Sequence, residues 1–169
     1  MLGIPVSVTI DEFLLFEDKA GFWDFEPKYE LVYAKHAVDG ALWAPLLEKA
    51  AAKMYGNFEM LQGGWMGPAV QMMTGAPYYD IEHKDVTVDE LWEYIHERIQ
   101  DNWVITVASY IGTGSDKDQN ALGIPYRHAL SVLDTKLISN GLRLIKVRNP
   151  WAAETYHGPW SDKSNLWTD

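Results

Sequence analysis

The chain has 169 residues, 47% of them hydrophobic, and a formal net charge of −10. That is enough apolar material to bury one core, which excludes a disordered polypeptide. The acidic balance excludes the basic stripe of a nucleic-acid binder, no apolar run nears the ~18 residues of a membrane span, and zero cysteines exclude disulfides. The first ten residues lack the basic start and apolar block of a secretory signal, so a cytoplasmic setting is expected. Eight Trp and nine Tyr are read mostly as core, with some lining a face that meets another subdomain.

Val6 to Ile10 alternates apolar and polar residues and is predicted to form a half-buried strand. Aromatic-rich loop follows to Tyr29, and Leu31 to Lys35 forms the second predicted strand, closed by Asp39-Gly40. Residues 42–55 read as a helix with one apolar stripe of Trp43, Leu46, Leu47, Ala50 and Met54, stopped by Gly56. Gly63 and Gly64 make a permissive turn before a short helix over Pro68 to Met73, ended by Gly75. A phosphate cradle at those glycines fails, because no Lys-Ser/Thr follows. Thr87 to Glu90 is a capping box opening a helix with Val88, Leu91, Trp92, Ile95 and Ile99 on one side. His96 falls on its polar side and is expected to be solvated. Trp103 to Ile111 is predicted as a strand central to the sheet.

Residues 112–123 form a polar loop. Gly112-Thr113-Gly114 lacks the third glycine and helix of a dinucleotide turn. Asp116, Asp118 and Asn120 begin like a calcium loop, but Ala121 and Arg127 occupy the glycine and closing Glu positions. His36, His83 and His157 show no paired metal spacing, so no zinc is assigned.

Two predicted strands then carry the chemistry. His128 opens Arg127-His128-Ala129-Leu130-Ser131-Val132, and Asn149 leaves Leu142-Arg143-Leu144-Ile145-Lys146-Val147, with Trp151 two residues beyond. An imidazole works as base and proton carrier when one ring nitrogen is held and the other is free. A carboxamide oxygen can hold it without neutralising an imidazolium that pairs with a thiolate. Trp151 would keep water from the pair. A tight Asn140-Gly141 turn would set Asn149 against Val132, missing His128 by ~13 Å. Bringing His128 opposite Asn149 requires a turn centred near Ile138-Ser139, with a wider loop from Lys136 to Gly141. Both registers keep the two side chains on one face. The bland reading is a strand-opening histidine and an Asn-Pro turn.

The runs "GIPYRHALSV", "LRLIKVRNPW", "YHGPWSDKSNLW" and "ALWAPLLEKAAAKMYGNFEMLQGG" resemble the calpain protease core, a papain-like cysteine protease. The resemblance spans about Val6 to the end. It implies that His128 and Asn149 are the catalytic His and Asn, that Trp151 flanks the cleft, and that Gly63 and Gly64 lie near it. It implies an α+β fold, a twisted and mainly antiparallel sheet or open barrel with two main helices. Residues 1–169 would then be the second, His/Asn-bearing subdomain of an intracellular endopeptidase acting on protein substrates. The nucleophilic Cys would come from a preceding subdomain, this chain's first partner, so no activity is expected in isolation. Three departures stand out: the family's Gly before the His is Arg127, its Tyr is Leu130, and its Gly after the Trp is Ala152. They motivate an alternative, a degenerate non-catalytic scaffold. Asp162 matches one calcium ligand of the family, but the Glu expected seven residues earlier is Thr155, so calcium is expected only as a possibility in the full-length parent. Without the resemblance, exposed aromatics on an acidic domain would suggest a ligand- or carbohydrate-binding face.

Overall fold

The computed structural model describes residues 6–109, 114–151 and 153–167. Its architecture is α+β, with three helices and two small antiparallel sheets, and no closed barrel among the described residues. The chain divides into two compact units, Met1–Tyr78 and Tyr79–Asp169.

In the first unit, β1 (Phe16–Asp18) pairs antiparallel with β2 (Tyr29–Leu31), setting Phe16 against Leu31. The second strand therefore ends where the alternation predicted it to begin. Val6 to Ile10 forms no strand. Val8 and Ile10 are half-buried, as the alternation requires, but two lysines serve this arm where a neighbouring strand was expected. Lys53 Nζ donates to the Thr9 carbonyl at 2.6 Å, and Lys49 Nζ donates to the Asp11 carboxylate and the Phe13 carbonyl.

Both lysines come from α1 (Trp43–Tyr55), which ends at Gly56 with φ of 110°. The helix forms where expected, yet its buried residues are Pro45, Ala51 and Ala52. Trp43, Leu47 and Met54 of the apolar stripe are exposed. The arm and β2 lie instead along the side carrying Glu48 and Lys49, because Glu48 accepts from the Ala34 amide at 2.8 Å while Lys49 holds the arm. Polar anchoring overrides the stripe. A 3₁₀ turn at Glu59–Leu61 leads to α2 (Met66–Thr74), which Gly75 closes in a left-handed conformation.

The second unit opens with the expected capping box. Thr87 accepts from the Glu90 amide, and the Glu90 carboxylate accepts from the Thr87 amide at 2.8 Å. It starts α3 (Val88–Gln100), which buries Trp92 and Ile95. Val88 is exposed, because it occupies the first helical position. His96 departs from expectation. It is half-buried, its ring lies 5.6 Å from that of Trp92 and nearly parallel to it, and its Nδ1 sits 2.8 Å from the Thr135 hydroxyl. A histidine beside an apolar face finds a partner on the sheet below.

That sheet runs β3 (Ile105–Ser109), β4 (His128–Leu137), β5 (Arg143–Arg148), all antiparallel. Among the described residues β4, not β3, is central. Residues 110 and 111 of the strand predicted from Trp103 to Ile111, and Gly112-Thr113 after it, lie outside the described residues, as does Ala152. The loop after β4 spans 138–142, shorter than expected on its first side. Lys136 still pairs with Leu144, and Gly141 takes φ of 83° while its amide donates to the Ile138 carbonyl at 2.8 Å. The ladder then slips by one at a bulge between Val132 and Asp134, resuming with Val132 against Val147 and Ser131 against Arg148. His128 is paired with Ser109, not with Asn149.

Candidate active site

His128 begins the central strand because Ser109 closes the neighbouring one. The Ser109 hydroxyl accepts from the His128 amide at 3.1 Å and lies close to the Pro125 carbonyl, so one side chain clamps the strand start. Sequence reading missed Ser109. The available signal was a small hydroxyl residue at the end of a β-rich run. His128 is 7% exposed.

Asn149 leaves β5 one residue past its end, and its side-chain oxygen lies 2.8 Å from His128 Nε2. The protonation pattern follows from the neighbours. The Trp151 amide, which can only donate, lies 3.0 Å from the same oxygen, and Asn149 Nδ2 donates to the Ala153 carbonyl at 3.5 Å. Oxygen therefore faces the imidazole and Nε2 carries a proton, so in the neutral ring the lone pair lies on Nδ1. Nδ1 has no hydrogen-bond partner among the described residues. One nitrogen held and one free is the state a general base requires. Trp151 covers the pair, its ring centroid 4.3 Å from that of His128.

Arg127 is exposed and takes φ of +47°, a left-handed conformation that favours glycine. It has no ion-pair partner among the described residues. Its backbone, rather than space for a side chain alone, gives glycine an advantage at this position.

The loop before His128 is built on Asn120, whose side-chain oxygen accepts from the Leu122 and Ile124 amides at 2.9 and 3.0 Å. Gly123, at φ of +81°, is pressed against the tail, and a Cβ there would sit 1.8 Å from the Thr155 carbonyl oxygen. His157 adds to this contact, its amide donating to the Leu122 carbonyl at 3.0 Å and its Nε2 lying 3.1 Å from the Ala121 carbonyl. Neither Gly123 nor His157 was singled out from sequence for this role.

Asp162 is exposed, and no group of three His, Asp or Glu side chains that could hold a metal occurs among the described residues. The Thr155 carbonyl already lies 3.2 Å from His157 Nδ1. Gly63 and Gly64 belong to the first unit, are exposed, take no positive φ, and leave open space where a Cβ would be.

The profile of the calpain family of cysteine proteases matches residues 3–169. This chain belongs to that family. It is 33% identical to the calpain-type cysteine protease ADL1 of Oryza sativa subsp. japonica, over 99% of this chain and 8% of that protein. It is 34% identical to the calpain-type cysteine protease DEK1 of Zea mays, again over 99% of this chain and 8% of that protein. The rat calpain-1 catalytic subunit is 30% identical over 98% of this chain and 22% of that protein. The chain thus spans less than a quarter of the length of these relatives. No helix among the described residues is long and apolar enough to cross a membrane.

Proposed function

We propose that this chain supplies the His/Asn-bearing half of a calpain-like cysteine endopeptidase, with the nucleophilic Cys contributed by a preceding subdomain. The observation carrying this reading is the 2.8 Å contact between His128 Nε2 and the Asn149 side-chain oxygen, which leaves Nδ1 free. In this mechanism Nδ1 takes the thiol proton and the thiolate attacks a peptide carbonyl. The imidazolium then returns the proton to the leaving amine as the acyl-enzyme forms, and water releases the acyl group in the second half. Asn149 orients the ring throughout, and Trp151 excludes water. Protein substrates and a cytoplasmic setting belong to the same reading. Its test joins this chain to a calpain-type Cys-bearing subdomain and follows casein hydrolysis. His128→Ala is expected to remove about 10²–10⁴-fold of the rate, and Asn149→Ala a smaller share. Equal rates for wild type and His128→Ala would sink the proposal.

One observation favours a second reading, a non-catalytic calpain-like scaffold: the exposed side chain of Arg127 beside His128. The residue at the nucleophile position of the parent chain separates the two, since Ser, Gly or Asp there decides for the scaffold.

A further inference from the structure

The loop between β1 and β2 carries the most exposed aromatics among the described residues. Phe22, Trp23 and Phe25 are 92%, 82% and 101% exposed. An extended apolar tip of this kind marks an interaction site on a soluble domain. The loop is nevertheless ordered by its own hydrogen bonds. The Asp24 carboxylate accepts from the Gly21 amide at 2.7 Å and from Lys28 Nζ at 3.0 Å, and the Asp24 amide donates back to the Gly21 carbonyl at 2.9 Å. Asp18 accepts from the Ala20 and Lys28 amides at 2.8 and 3.0 Å. Phe22 and Trp23 pack edge to face, with centroids 5.1 Å apart. A tip held this way loses little further freedom when it binds.

We propose that Phe22, Trp23 and Phe25 form a docking knob for a separate protein whose surface carries an apolar pocket rimmed by lysine or arginine. Rigid aromatics are the side chains that concentrate binding energy at interfaces. Charge selects the partner. Residues 16–29 hold four carboxylates and two lysines. Both lysines are engaged within the hairpin, Lys19 with Glu17 at 2.6 Å and Lys28 with Asp24 at 3.0 Å. Glu26 stands exposed beside Phe25, without an ion pair among the described residues. An acidic knob is repelled by an anionic lipid surface and attracted by a basic rim.

The test places a benzoylphenylalanine photo-cross-linker at Trp23 of the full-length protein in its own cells, with the same group at exposed Glu12 as the control. The expected product is an adduct, specific to position 23, with a different protein at a site bearing apolar side chains and lysine or arginine. The purified partner should then lose at least about tenfold in affinity with Trp23→Ala. It should also weaken with Glu26→Lys and with added salt. An adduct with lipid, a second copy of the chain or another part of the same polypeptide would overturn the proposal. So would equal yields at both positions, or binding of the protein to phosphatidylcholine–phosphatidylserine vesicles that Trp23→Ala abolishes.

Discussion

Arg127→Gly should stabilise the protein, although it removes a long side chain. Arg127 holds φ of +47° immediately before His128, and an L-residue pays roughly 1–2 kcal/mol in the left-handed region. Glycine carries no such penalty but returns about 0.5–1 kcal/mol through the greater freedom of its unfolded chain. The net gain is then about 0.5–1 kcal/mol, and each kcal/mol moves Tm by about 2–4 °C for a chain of this length. Arg127→Ala is the control, since it removes the guanidinium and keeps the strain, and Arg127→Asn should fall between because Asn tolerates this conformation. Urea midpoints with unchanged slopes measure the series. An order with Ala at or above Gly would refute the strain argument and assign any effect to the side chain. In the joined protease, casein hydrolysis by the Gly variant measures how far the arginine obstructs the cleft.

Gly123→Ala combines an unfavourable positive φ with overlap on the Thr155 carbonyl, so it should cost on the order of 3 kcal/mol. Chemical denaturation reads that loss, and limited proteolysis should show earlier cleavage in the tail after Ala153. Thr135→Val leaves His96 Nδ1 without its hydroxyl partner and should lower the unfolding free energy by about 1–2 kcal/mol. Thr87 holds the Glu90 carboxyl below its ordinary pKa through its backbone amide first and its hydroxyl second. A depressed folded-state pKa gives stability that is present above the unfolded value and lost as pH falls through the folded one. The advantage of wild type over Glu90→Gln in urea should therefore shrink as pH drops from about 6 to about 3.

Legibility in the sequence followed the range of the interaction responsible. The capping box spans four residues and forms as read, and so do the helix stops at Gly56 and Gly75, where one local conformation decides. The buried side of α1 was misread because its partners lie far along the chain. Lys49 and Lys53 reach back to residues 9–13, and no local period reveals which face they will anchor. His96 was misplaced for the same reason, since its partner Thr135 is 39 residues away. The His128–Asn149 contact was legible as chemistry, because those residue types have few other reasons to follow one another with a Trp behind them. Its backbone basis was not legible.

That basis rests on one unpaired residue. From the observed loop, an unbroken ladder continuing the Leu137–Arg143 pairing would set Asn149 opposite Ser131, on the face away from His128. The bulge at Leu133 shifts the pairing by one, so continuing Ser131 against Arg148 sets Asn149 opposite Leu130, whose face His128 shares. The burial pattern records the shift: His128 and Val132 are buried before the bulge, Leu133 and Asp134 both face outward, and Thr135 is buried after it. A straight strand would bury Ala129, Ser131 and Leu133 in place of His128, Leu130 and Val132, and would turn the imidazole away from Asn149. The adjacent apolar residues Val132 and Leu133 break the two-residue alternation at this point, and they are the trace that the bulge leaves in the sequence. The same-face expectation survives for a reason different from the turn position first invoked: the hairpin loop alone would have separated the imidazole from the carboxamide, and the slip in the strand reunites them.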